Sequence, residues 1–281
     1  MTWHNTALDV LERLPQNAIS RAVGRLVRTR LPGPLAKMSV SSFARIMKID
    51  TGEAERPIAE YASVHDFFVR KLRAGARRID PRPNIMTSPC DGVVGEYGRI
   101  DKGTLIQAKG RSYTLGAFVQ DDARAQAMDG GTFVTIYLSP RHYHRVHSPV
   151  AADVEAADHI PGQLLPVNMR SINHFDGVFV RNERLAVWLR NAQGLTGVVL
   201  VGATCVGEMS AAFDETLITN RPVSGVVRHT YKDVHLHKGA ELGTFHMGST
   251  VVLLMRGAPK ILVTVGQEVK MGEPLVETTV G

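Results

Sequence analysis

The amino-acid sequence predicts an α+β protein: a mostly antiparallel β barrel or sandwich core, hairpins at the C-terminal end, and a helical, basic N-terminal region. Three observations carry that prediction. Apolar residues recur at helical spacing in the first eighty residues; from Pro81 onward short β-branched runs alternate with Gly, Asp and Asn; and positive charge gathers at the N-terminal end. The expected division is therefore a helical, basic region over residues 1–80 and a β-rich region over 81–281. A chain of 281 residues, 44% hydrophobic and 21% charged, has the composition of a folded globular protein. Cys90 and Cys205 are far apart with no C-x-x-C spacing, which suits a reducing compartment. No apolar run is long enough to span a bilayer and no signal-peptide core is visible, so a cytoplasmic setting is expected.

Residues 5–14 place Ala7, Leu8, Val10, Leu11 and Leu14 at helical spacing. A second helix follows Pro15, with Ile19, Ala22, Val23, Leu26 and Val27 on one face and Arg21, Arg25 and Arg28 on the other. Residues 1–50 hold eight Lys or Arg against three acids, which is +5 of the net charge of +6. A basic amphipathic segment on a nearly neutral body has two readings: a helix packed on the core with solvated arginines, or an interfacial helix whose arginines meet lipid phosphates. Leu31-Pro32-Gly33-Pro34 ends it, and residues 39–49 form a further helix with Phe43, Ile46 and Met47 facing inward. The charged stretch 50–80, helical in part, sets Phe67 and Phe68 beside Arg70, Lys71, Arg73, Arg77 and Arg78. No nucleic-acid signature accompanies this pairing, so nucleic acid is not an expected partner.

Strands are expected over 91–95, 132–138, 177–180, 185–189, 198–206, 223–227, 251–254 and 261–265. The final segment, with Gly266, Val269, Gly272 and Leu275 spaced G-x-x-V-x-x-G-x-x-L, has the rhythm of biotinyl or lipoyl carrier hairpins. It lacks the exposed lysine such a carrier modifies, so the rhythm indicates shape and not cargo. There is no G-x-G-x-x-G, P-loop or G-x-S-x-G, which removes support for nucleotide binding and for the common hydrolase elbow.

Reactive groups gather in four stretches. Asp91 sits at an Asp-Gly turn opening a strand, within Ser88-Pro89-Cys90-Asp91-Gly92. His142, His144 and His147 fall within six residues between Pro140 and Pro149. They lack a matching Cys, Asp or Glu spacing, so no metal is expected and acid–base work suits them better. Arg181-Asn182-Glu183-Arg184 reads as a polar hairpin joining two strands. Gly248-Ser249-Thr250 leads directly into an apolar strand. Asp91, His147 and Ser249 form the set a Ser-His-Asp hydrolase would use, and a carrier-like binding module is a further alternative. The glycine before Ser249 opens another chemistry. A base that deprotonates Ser249 lets Oγ attack the Gly248 carbonyl; the peptide becomes an ester, β-elimination cuts the chain, and hydrolysis leaves a pyruvoyl group, an electron sink comparable to pyridoxal phosphate.

These residues resemble the phosphatidylserine decarboxylase family over nearly the whole chain. Gly243-x-Phe245-x-Met247-Gly248-Ser249-Thr250-Val251 is similar to its G-x-F-x-x-G-S-T-V processing site. Tyr137-Leu138-Ser139-Pro140-x-x-Tyr143-His144-Arg145-Val146-His147 is similar to its histidine motif, and Pro89-x-Asp91-Gly92 to its aspartate motif. Phe67-Phe68-x-Arg70 and Arg181-Asn182-Glu183-Arg184 also match. The resemblance implies that Asp91, His147 and Ser249 are the self-cleavage triad, with His147 the base on Ser249 and Asp91 orienting and charging the imidazole. Cleavage between Gly248 and Ser249 would give a β chain of residues 1–248 and an α chain of 249–281 whose pyruvoyl group derives from Ser249. Phosphatidylserine would condense with it as a Schiff base, lose carbon dioxide and leave as phosphatidylethanolamine. His144 is the candidate for positioning the carboxylate or returning the proton. Expected partners are phosphatidylserine and anionic membrane lipids, with a homodimer compatible with the sequence. The expected location is peripheral, on the cytoplasmic face of the inner or plasma membrane, and the basic segment around residues 17–29 becomes the docking helix. Two positions depart from the family: Met247 stands for the usual leucine, and His142 for a frequent acid.

Overall fold

A computed structural model describes residues 16–108, 111–167, 169–204, 208–246 and 249–278. The helix expected over 5–14, Cys205, Met247 and Gly248 lie outside the described residues. The β-branched runs assemble into one nine-stranded sheet whose pairs are all antiparallel. In chain order its strands are β1 (Gly92–Arg99), β2 (Thr132–Leu138), β3 (Ala152–Ile160), β4 (Arg184–Asn191), β5 (Gly194–Gly202), β6 (Val227–Thr230), β7 (His235–Leu236), β8 (Ser249–Met255) and β9 (Glu268–Val269). Across the sheet the order is β6-β3-β4-β5-β8-β2-β1-β9, with β7 also on β3.

β8 is the interior strand, paired with β5 on one side and β2 on the other with no register break, and every one of its residues is buried. A strand with neighbours at both edges and cover on both faces has no solvent side. This is why Ser249-Thr250-Val251-Val252-Leu253-Leu254-Met255 shows no polar alternation. Side chains still alternate between faces: Val251 and Leu253 enter one apolar cluster, Val252 and Leu254 the other. Ser249 shares the face of Val251 and Leu253. Over that face lies a three-stranded sheet of Arg145–His147, Glu241–Phe245 and Met209–Ala211, whose Val146, Phe245 and Met209 join the same cluster. The architecture is thus sheet on sheet rather than a barrel, since the large sheet ends at β6 and β9.

Several expected strands change. Residues 178–181 form one helical turn, Val178–Arg181, instead of a strand. Of the run expected at 198–206, residues 198–202 are the end of the longer β5 and 205–206 lie outside the described residues; 223–227 only reaches its strand at Val227, and 261–265 contracts to Lys260–Ile261. That short strand, Pro274–Glu277 and Ile85–Thr87 make a third sheet. Gly266 and Gly272, at φ 84° and 90°, supply the turns that the carrier-like spacing requires.

Helices α1 (Gln16–Arg28), α2 (Gly33–Met47) and α3 (Val64–Phe68) precede the strands. α2 opens with proline in its first turn and ends at Lys48 in the left-handed conformation. It buries Val40 and Ala44 against Ile49, Tyr61 and Phe67, a cluster separate from those of the sheet. Ile46, expected inward, is 72% exposed, while Phe43 and Met47 pack as predicted. Arg28, expected on the outer face of α1, turns to Glu208 at 2.6 Å. No described helix is long and apolar enough to cross a membrane.

Candidate active site

Ser249 is the first residue of β8, opposite Leu138 of β2 and Gly202 of β5. Its side chain is fully buried and its Oγ has no hydrogen-bond partner. Both cross-strand neighbours are tied to motifs read from the sequence. Leu138 begins the histidine segment, and Gly202 is held by Arg181-Asn182-Glu183-Arg184. Asn182 donates Nδ2 to the Gly202 carbonyl at 2.8 Å, and the Gly202 amide donates to the Glu183 carbonyl at 2.9 Å. Asn182 also bonds both the amide and carbonyl of Leu165. Glu183, buried, meets His159 Nε2 at 2.6 Å and the Asn220 amide at 2.8 Å. Arg184 is buried in a cage of the carbonyls of Phe118, Phe179, Val180 and Asn182. The motif is therefore a buried clamp on the strand beside Ser249 and not a polar hairpin.

His147 ends the strand facing Ser249's side of the sheet. Its Nδ1 lies 2.9 Å from the Gly239 carbonyl, which can only accept, so Nδ1 carries the hydrogen. Nε2 is then the lone-pair nitrogen, and the Tyr143 hydroxyl donates to it at 3.1 Å. Burial holds the ring neutral by lowering its pKa, partly opposed by the Gly239 hydrogen bond and by the charges of Glu241 and Asp91. Burial also raises the pKa of the Tyr143 hydroxyl.

Asp91 reaches its place because Gly92 lets two strands close: a Cβ there would lie 2.7 Å from the Tyr137 carbonyl oxygen. Its carboxylate accepts from Arg77 Nε at 2.9 Å, from Arg77 Nη2, and from the Met271 amide at 2.9 Å. Arg77 also binds Glu53, which Lys270 reaches at 3.1 Å. Asp91 makes no hydrogen bond to the His147 ring, whose two nitrogens meet the Gly239 carbonyl and the Tyr143 hydroxyl. Asp91 acts on the ring through its charge. Among the described residues Asp91, His147 and Ser249 share no hydrogen bond.

His144 presents the freest base. It is fully buried, its Nδ1 is bonded to the His142 carbonyl at 2.9 Å, and its Nε2 has no partner. By the same reasoning Nε2 carries the lone pair, and burial lowers the pKa of the ring to about 3. The Phe68 ring lies against it, centroids 4.0 Å apart. The Phe67–Arg70 segment is tethered there by Arg145, which donates twice to the Val69 carbonyl and grips Glu241. His142 accepts the Ser139 amide on Nδ1 and sets Nε2 3.4 Å from Glu268, so an acid from β9 stands at the position whose own residue is histidine. No group of three or more metal-ligating side chains occurs among the described residues. Tyr143, Arg77 and Glu268 were not predicted for the site; Tyr143 lay within a motif already quoted, whereas the other two come from distant segments and leave no local signal.

A sequence model of the family described as phosphatidylserine decarboxylase matches residues 64–277. The phosphatidylserine decarboxylase proenzyme of Anaeromyxobacter sp. (strain K) is 41% identical over 273 residues, 95% of this chain and 96% of its own. That of Myxococcus xanthus (strain DK1622) is 39% identical over 250 residues, 89% of each chain. The proenzyme of Azotobacter vinelandii is 39% identical over 280 residues, 95% of this chain and 96% of its own.

Proposed function

The chain belongs to the phosphatidylserine decarboxylase family, and from that membership we propose that it converts phosphatidylserine to phosphatidylethanolamine after cutting itself between Gly248 and Ser249. The observation that carries this reading is the Ser249 hydroxyl, buried and unpartnered at the start of an interior strand. A pyruvoyl group suits this position, because the strand that would carry it is fixed on both sides and water is excluded. The chemistry such a group supplies is a ketone that takes an amine and accepts the electrons left by carbon dioxide.

The chain's own residues divide the remaining work. His147, neutral and with its lone pair on Nε2, is the base for the Ser249 hydroxyl, and Tyr143 occupies that nitrogen until it is needed. Asp91, fixed by Arg77 and the Met271 amide, supplies a negative charge that favours the protonated imidazole. His144 Nε2 takes a proton from the incoming substrate's ammonium and delivers it to the carbon that loses the carboxyl group, in a site dry enough to protect that carbon from other reactions.

Docking on the cytoplasmic face of a membrane belongs to the same reading. Leu26, Leu31, Leu35, Met38 and Ile46 are exposed on α1, α2 and their connection, and Leu26 and Met38 are 74% and 62% exposed. Arg21, Arg25, Lys37 and Arg45 are exposed among them. Apolar side chains rimmed by cations suit an interface with anionic lipids. The C-terminal hairpins, carrier-like in their glycine spacing, then serve to seat Asp91 through Met271.

Intact-mass spectrometry of the purified protein, paired with lipid analysis after incubation with phosphatidylserine vesicles, tests the proposal. Two chains split at Gly248–Ser249, the smaller beginning with a ketone, and accumulation of phosphatidylethanolamine are expected. A single unmodified chain without lipid turnover would overturn it.

A further inference from the structure

Arg70 is a buried cation with no acid bound to it. It is 4% exposed, and its Nε and Nη1 have no hydrogen-bond partner. Its remaining protein hydrogen bond is a long one, 3.5 Å from Nη2 to the His142 carbonyl. The Phe67 ring lies 5.1 Å from the guanidinium and compensates its charge only in part. Burial lowers its pKa, with Tyr61, Asp91, Glu53 and Tyr143 opposing from a distance. The other buried arginine among the described residues, Arg184, is better supplied: four carbonyls take its Nε and Nη1, and only Nη2 lacks a partner. Leaving three N–H donors unclaimed on a buried cation is destabilising unless a ligand completes them.

The position is next to the chemistry. Arg70 follows Phe68, whose ring covers His144, and its charge acts on the His144 ring. His144 Nε2 is also buried and unpartnered, and the two residues share the His142 carbonyl, which accepts from Arg70 Nη2 at 3.5 Å and from His144 Nδ1 at 2.9 Å. The proposed substrate carries two anions, and they differ in what they need. The departing carboxylate must give up its charge, and a buried guanidinium bound to it would favour the ground state. The phosphodiester keeps its charge throughout, so a fixed counter-ion costs nothing in the transition state.

Resting on the decarboxylase reading, we propose that Arg70 binds the phosphodiester of the lipid headgroup, donating Nε–H and Nη1–H to its non-bridging oxygens, and leaves the departing carboxylate without a cationic partner. This makes Arg70 the residue that places the serine portion over position 249.

The test uses processed protein, as wild type, Arg70→Gln and Arg70→Lys. Binding of glycerophosphoethanolamine, which has the phosphodiester and no carboxylate, is measured by ligand-observed NMR, with ethanolamine and inorganic phosphate as comparison probes. Arg70→Gln is expected to weaken glycerophosphoethanolamine about 10- to 100-fold, to raise KM for phosphatidylserine with little change in kcat, and to leave ethanolamine binding unchanged. Arg70→Lys should recover part of the loss. Unchanged glycerophosphoethanolamine binding, a fall in kcat without a change in KM, or equal competition by inorganic phosphate would each overturn the assignment. Should Arg70→Gln fail to process, the same binding measurement on Arg70→Lys decides, and loss of ethanolamine binding in parallel would mark a purely structural role. Arg70-dependent binding of the phosphodiester by a wild-type chain that turns over no lipid would sink the decarboxylase reading and leave the anion site standing.

Discussion

Burying the Ser249 hydroxyl without a partner costs about 1–3 kcal/mol, and the protein bears that cost at the position where an oxygen free to attack is useful. Ser249→Ala should therefore abolish cleavage, giving one chain by intact mass, while its urea midpoint stays equal to or above that of an uncleaved reference such as His147→Ala. A large loss of stability in Ser249→Ala would show that the hydroxyl is structural. His144 is a second residue-scale case. Its Nε2 is unengaged and its ring is neutral with a pKa of about 3, so between pH 5.5 and 8.5 it does not titrate in the free enzyme. His144→Gln is expected to leave the chain processed and to lower kcat by about 10²- to 10⁴-fold, with KM little changed. A processed variant with full turnover would remove His144 from the chemistry.

At the scale of elements, what the sequence made legible and what it hid divide along one physical line. Ser249, His147, His144 and Asp91 were visible because their chemistry needs particular residue types next to glycine, proline or each other, and β8 was visible because an interior strand must be continuously apolar. Contacts between distant segments were hidden: Arg77 on Asp91, Gly239 on His147, Glu268 beside His142. Asn182 is the clearest instance, since a short polar run looks like a hairpin until the sheet places Gly202 against it. Asn182→Ala leaves the Leu165 amide, the Leu165 carbonyl and the Gly202 carbonyl without that partner. We expect a loss of about 2–4 kcal/mol in urea unfolding and slower self-cleavage, because Gly202 pairs with Ser249. Normal processing in a destabilised variant would separate the clamp from the site. The outer face of α1 and α2 makes the other element-scale prediction. Replacing Leu26, Met38 and Ile46 with Ser should reduce binding to anionic vesicles by sedimentation without changing the melting temperature by more than about 2 °C, since exposed apolar side chains contribute little to the folded core. Undiminished vesicle binding would move the docking surface elsewhere.

Across the whole molecule, half-buried neutral histidines join regions far apart in sequence. His65 of α3 meets His246 at 3.0 Å, the two rings stack, and His246 in turn contacts Ser210. Arg28 of α1 closes the same group through Glu208 and lies 3.4 Å from His65. N-terminal helices, the small sheet and the segment leading to Ser249 therefore meet at one polar cluster. Burial is the largest cause lowering His65 and His246 to about 4, with the cation Arg28 adding to it in both; burial likewise lowers His144, His142 and His147. The folded state thus binds fewer protons than the unfolded chain, whose histidines titrate near 6.5. Stability is then fully present above pH 6.5 and is lost as the pH falls toward the folded values of about 4 and 3, at up to about 1.4 kcal/mol per pH unit for each ring. Urea midpoints should drop steeply between pH 6.5 and 5, and the His65→Gln, His246→Gln double variant should flatten that slope. Because this cluster ties α1 and α3 to the chain just ahead of position 249, acid should loosen the N-terminal helices before the large sheet. Hydrogen exchange at pH 5 would then show protection lost in α1 and α3 while β8 stays protected; simultaneous loss in all three would mean that the molecule opens as a single unit.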